Sequence, residues 1–219
     1  MQNSEIISAP SFRQKHSLAI RIWHWSSFII ILGSLITVIL SETLLDMRGN
    51  IQSVKEELEK SGVTITVDQA KSIAKINRHI IWDWHTYFGY VLAGLFFFRV
   101  LVEFFQAKDQ KFFGILKNAK RYLKQDHADK KSGKQYLMSR YIYLVYYLTL
   151  CMMSLTGLFM AFSDGNKDLK EIRHNLKEIH NVGMYVILSF IVVHLAGIIW
   201  AESDKKNKGV VSDMFNGGE

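Results

Sequence analysis

The stretch 180-HNVGMYVILSFIVVH-194 places two histidines around thirteen residues that carry no charge. As an α-helix, it turns by about 100° and rises by about 1.5 Å per residue. Fourteen steps return His194 to within about 40° of the direction of His180, about 21 Å further along the axis. One helix then presents two imidazoles on one face, at two depths of a bilayer whose apolar core is about 30 Å thick. That is what a helix needs in order to hold two stacked metal centres, and the remaining histidines are candidates for its partners.

The whole chain supports a membrane setting. Of its 219 residues 49% are apolar and 13% aromatic, and the mean hydropathy of +0.07 hides a sharp segregation. Four apolar stretches, near Ile22–Leu40, Ile80–Phe105, Tyr141–Phe162 and Ile179–Trp200, alternate with charged loops. Each has the roughly 20 residues a helix needs to cross the bilayer, and helices satisfy their own backbone groups in lipid. The expectation is an all-α integral membrane protein, a single domain built as a four-transmembrane-helix bundle. The one proline, Pro10, lies outside all four spans.

A formal net charge of +7 invites a nucleic-acid partner, but its distribution points elsewhere. Ten Lys and Arg fall in 108–140, three precede the first span and three follow the last. The loop 41–78 balances six basic against six acidic residues, and 163–178 balances four against four. The positive-inside rule makes the basic side cytoplasmic. Both termini and the basic loop 106–140 then lie inside, and loop 41–78 lies outside. The excess reads as topology and as contact with anionic lipid, with no nucleic-acid partner. The single cysteine, Cys151, has no disulfide partner, and neither a CxxCH nor a CxxC motif occurs. The first span reads as a retained anchor, because no small-residue cleavage site follows it.

In the first span, Trp23 and Trp25 flank His24 in the pattern of an interfacial aromatic belt. Arg21 lies one turn earlier, where it can meet an anionic group. The external loop 41–78 reads as partly helical, broken at Ser61–Gly62, with Asp68 as the N-cap of a second helix. The second span carries Asp83, His85, Arg99 and Glu103. Arg99 follows His85 by fourteen residues, so it shares that histidine's face near the cytoplasmic depth; alternatively it pairs with Glu103 at i,i+4. Gly89 and Gly94 make room for a flat cofactor beside His85, or serve plain helix packing. The segment FFGILKNAKRYLK reads as an amphipathic interfacial helix, and His127 as a solvated histidine. The third span has neither histidine nor charge, and its Met152, Met153 and Met160 read as filler. Gly183 and Gly197 each follow a histidine by three residues in the fourth span.

Topology pairs the histidines. His24 and His194 share the cytoplasmic level, and His85 and His180 share the external level. His79 and His174 each precede a ligand candidate by six residues, about 240° around a helix, and face elsewhere; a quinone or proton gate is the residual role for them. Two imidazoles per level are too few for tetrahedral zinc. A haem supplies four equatorial nitrogens and needs only two axial ligands, and bis-histidine ligation leaves an iron that passes electrons.

The sequence of RIWHW, WDWHTYFGYV…FFFRV and then H-x13-H resembles the bacterial cytochrome b561 superfamily, and is similar to the cytochrome b subunit of nickel-iron hydrogenases. The ending GVVSDMFNGG resembles their G-x-x-x-x-M-x-x-G tail, and the resemblance covers residues 12–218. It implies a four-helix protein with two haem b groups in the bacterial inner membrane, exchanging electrons with quinones and a redox partner protein. It leaves open a haem-bearing anchor subunit of a larger hydrogenase or dehydrogenase, and a homo-oligomer. A histidine-lined transporter is the alternative from another class.

Overall fold

A computed structural model describes residues 16–105, 111–125, 129–203 and 209–217, with Asn77 described in its backbone alone. His127 lies outside the described residues. The described residues form seven helices: α1 Leu18–Glu42, α2 Met47–Lys60, α3 Val67–Phe105, α4 Phe112–Tyr122, α5 Lys130–Phe162, α6 Lys170–Ser203 and α7 Val210–Asn216. Four of them, α1, α3, α5 and α6, are long and apolar enough to cross a membrane. The four expected spans lie inside these four helices. Large apolar side chains such as Phe28, Ile29, Phe97, Leu155, Val192 and Ile199 stand exposed along them. Apolar surface on that scale belongs against lipid. The protein is an all-α, multi-pass membrane protein.

The helices outrun the apolar stretches because polar flanks continue the turn once a helix is nucleated. Helix α3 begins at Val67, well before Ile80, so 67–78, the last third of loop 41–78, is a direct extension of the second span. Its start departs from the expected Asp68 cap. Thr66 Oγ1 accepts from the Gln69 amide at 3.2 Å, and Gln69 Oε1 accepts from the Thr66 amide at 2.8 Å. This is a reciprocal capping box, which satisfies two orphan donors at once. Asp68 instead sits in the first turn, where its charge complements the helix dipole. The expected break at Ser61–Gly62 is present, with Gly62 at φ +79°. Helix α2 is capped by Asp46, whose carboxylate accepts from the amides of Arg48 and Gly49.

The chain divides into two compact units. In the unit Ser26–Gly94, a Cβ on Gly33 would lie 2.9 Å from Phe88 Cζ, so α1 and α3 meet at the glycine. Arg78 Nη2 pairs with Glu42 Oε1 at 3.0 Å. In the other unit, residues to Trp25 and from Leu95 onward, α5 and α6 pack as an antiparallel pair. Tyr146 stacks on Phe190 at 4.2 Å, Leu150 is fully buried, and Met152 and Met153 close over Gly183. The methionines thus fill space, and Gly183 is a packing glycine. Helix α4 turns Leu116, Ala119 and Tyr122 inward, as an amphipathic helix would.

The tail folds as α7 between two glycines, Gly209 at φ +103° and Gly217 at φ +93°. Both backbones occupy the left-handed region that glycine adopts without steric cost. Trp25 Nε1 donates to the Met214 carbonyl at 3.3 Å, and Trp25 stacks near Phe215 at 4.5 Å. The spacing of the two tail glycines therefore matches the length of one short capped helix held against the start of α1.

Candidate functional site

His24 on α1 and His194 on α6 come together. Their ring centroids are 6.3 Å apart with the planes inclined by 57°, and both rings are half-buried. Aromatic neighbours hold each ring. Trp25 meets His24 edge-on at 5.1 Å, and Phe190 stacks on His194 at 5.5 Å with planes 10° apart. Nδ1 of His24 is buried without a hydrogen-bond partner. An orphaned ring nitrogen inside a membrane span is costly unless something else engages the ring.

The aromatic and basic surroundings form a graded layer. Trp23 is buried beside Tyr147, with ring centroids 5.9 Å apart. The Arg99 guanidinium lies 5.9 Å from the Trp23 ring and 5.4 Å from that of Tyr147. Arg99 Nη1 donates to Glu103 Oε2 at 3.0 Å, and Nε donates to the Tyr147 hydroxyl at 3.3 Å. Glu103 Oε1 in turn accepts from the Phe112 amide at 2.6 Å, which ties the start of α4 to the end of α3. The i,i+4 pair is thus formed, and it holds Arg99 among the aromatics. Arg21 donates through Nη1 to the Phe215 carbonyl at the end of α7, while its Nε is buried without a partner. A cation at a helix C-terminus is electrostatically favoured. Arg140 was not anticipated. Its guanidinium lies 4.5 Å from the Tyr136 ring, and its Nε is also buried and unpartnered.

His16, just ahead of the first span, is half-buried beside this layer. Burial pushes its pKa below the usual 6.5; Asp213 partly opposes this, while Arg140 and Arg21 add to it.

His85 and His180 lie in separate units, and each is held by a threonine. In the Ser26–Gly94 unit, His85 Nδ1 lies 2.9 Å from Thr37 Oγ1 and 3.3 Å from Ser34 Oγ. Gly89, one turn from His85, has open space where a Cβ would stand. In the other unit, His180 Nδ1 lies 2.9 Å from Thr156 Oγ1, and Gly157 lies against the same ring. Helix α5, which has no ligand of its own, thus supplies the partner of His180. Neither threonine is distinctive in sequence, because helical hydroxyls commonly bond their own i−4 carbonyl. His79 and His174 are exposed, and His79 makes a 3.7 Å pair with Asp83. Among the described residues no three His, Cys, Asp or Glu side chains converge on a common point.

The family model described as prokaryotic cytochrome b561 matches residues 15–217. The chain belongs to that family. It is accordingly a bacterial membrane cytochrome of the b type, a haem b protein of electron transfer. Comparisons with curated proteins and with solved structures gave no match.

The His24–His194 spacing can be tested against that cofactor. A metal–imidazole bond is about 2 Å long, so two imidazoles that held one metal between them would have ligating nitrogens about 4 Å apart. Each ring centre lies about 1 Å behind its nitrogen, which puts the centroids roughly 6 Å apart. At 6.3 Å the two rings are near enough that His24 and His194 could hold one haem iron between them.

Proposed function

We propose that this cytochrome is a di-haem electron carrier of the bacterial inner membrane, working between a quinone pool and a partner redox protein. His24 and His194 would hold the cytoplasmic-side haem, and His85 and His180 the external-side haem. The 6.3 Å approach of His24 and His194 carries the first assignment. The second rests on the common depth that the sequence gives His85 and His180. Bound haem would supply a one-electron couple, and iron held by two histidines would pass electrons without taking a substrate.

The chain's own residues would orient and shield. Trp25 would steady the His24 ring, and Phe190 and Tyr143 that of His194, with Tyr146 stacked behind Phe190. Arg21 and Arg99 lie at that level as cationic partners for carboxylates, the charge that haem propionates would bring. Gly89 would leave room beside His85.

A haem-bearing anchor subunit of a hydrogenase or dehydrogenase is the second reading. Helix α2 favours it, since no residue of α2 is buried and its charged surface suits a partner protein.

A reduced-minus-oxidised spectrum with pyridine haemochrome stoichiometry tests the proposal. About two b haems per chain are expected, one for each pair of axial histidines. Alanine at His24 or His194 should remove one haem, and alanine at His85 or His180 the other. A colourless protein from haem-competent cells would overturn the assignment.

A further inference from the structure

We infer that Thr37 and Thr156 are positioning residues that set the tautomer of His85 and His180, and so tune the external-side haem apart from the cytoplasmic-side one. The inference rests on the di-haem reading above. It starts from a count of protons. A threonine hydroxyl carries one hydrogen and two acceptor lone pairs. Thr37 Oγ1 lies 2.6 Å from the Ser34 carbonyl oxygen, a separation that requires the hydroxyl hydrogen between the two oxygens. Thr156 Oγ1 lies 2.8 Å from the Met152 carbonyl and 3.2 Å from that of Met153, with the same consequence.

Each hydroxyl therefore meets its histidine, at 2.9 Å in both cases, as an acceptor. The ring nitrogen Nδ1 must be the donor. A neutral imidazole protonated at Nδ1 carries its lone pair on Nε2, the form that ligates a metal through Nε2. Both threonines are buried, at 6% and 7% exposure, so water does not compete for the contact. The Ser34 hydroxyl, at 3.3 Å from the same nitrogen of His85, is the weaker neighbour.

The same device occurs on two helix pairs that share no residue: α1 with α3, and α5 with α6. At the cytoplasmic level it is missing from His24, whose Nδ1 is buried and unpartnered. An acceptor on the far nitrogen raises the basicity of a ligating imidazole and fixes its orientation. A more basic ligand stabilises the oxidised metal, so the hydroxyls lower the midpoint potential of the haem they serve.

Potentiometric titration of purified protein in detergent, with haem stoichiometry, tests this on Thr37→Val, Thr156→Val and the corresponding serine variants. Each valine variant should raise the midpoint of the same haem or lose that haem, while the other haem keeps its wild-type value. Each serine variant, which retains the hydroxyl, should restore the wild-type midpoint. Valine variants with both midpoints unchanged would overturn the inference, provided His85→Ala or His180→Ala removes one haem. Serine variants as impaired as the valine ones would also overturn it, by showing that side-chain packing is what matters. If neither histidine variant removes a haem, the di-haem reading itself fails. If the two valine variants shift different haems, the tautomer role stands and the pairing of His85 with His180 falls.

Discussion

Alanine at Gly33 is the sharpest test of how the surroundings of His85 are built. The new Cβ would lie 2.9, 3.1 and 3.2 Å from three atoms of the Phe88 ring. Carbon atoms in contact sit about 3.5–4.0 Å apart, so the overlap runs from about 0.3 to about 1.1 Å over the three atoms. A phenyl ring cannot fold away as a methionine end does, and it must tilt or push α1 from α3. Overpacking of this kind costs typically 1–3 kcal/mol. For a chain of this size each kcal/mol lowers the melting midpoint by about 2–4 °C. Gly33 lies one turn before Thr37, and Phe88 one turn after His85, so the wedge also strains the threonine–histidine contact. The assay is loss of the haem absorption band on heating, for wild type, Gly33→Ala, Phe88→Leu and the double variant. The double variant should be more stable than the sum of the two single losses predicts, because leucine yields the space that alanine needs. A Gly33→Ala protein that melts with the wild type would refute the close approach. Strict additivity in the double variant would refute Phe88 as its cause.

Three further outcomes follow from the structure. Gly217→Ala forces a left-handed backbone on an L-residue, at a cost of about 1–2 kcal/mol, and should expose the α7 tail to limited proteolysis while leaving α5 and α6 protected. Asp46→Ala should cost about 1 kcal/mol by removing the α2 cap, measured as faster hydrogen exchange in residues 47–50 than in the wild type. His16 is held below 6.5 by burial, so the folded chain favours its neutral form; the stability this contributes is present above pH 6.5 and is lost as pH falls through 6.5 towards the depressed folded value. His16→Gln should therefore lose less thermal stability than wild type between pH 7.5 and 5.5, and an equal loss would remove His16 from the account.

The sequence alone determined the four membrane helices, because apolar runs of about 20 residues have no other use in water or lipid. It also determined that His180 and His194 share a face of one helix, since helical rise and turn are constants of the backbone. The break at Ser61–Gly62 was legible for a local reason, a glycine at positive φ. The start of α3 was equally local, as the Thr66–Gln69 capping box is written in neighbouring residues that the acidic Asp68 overshadowed. Periodicity says which way a side chain points from its own axis, but it does not say how one helix is rotated against the next. Only tertiary packing decided that His24 and His194 approach to 6.3 Å, and that Arg99 turns to Glu103 and Tyr147. Packing also separated two similar glycines, closing Met152 and Met153 over Gly183 while leaving Gly197 open. The same rotation brought Thr37, with Ser34 beside it, and Thr156 to an imidazole. That placement depends on the angle between neighbouring helices, which residues distant in sequence set together.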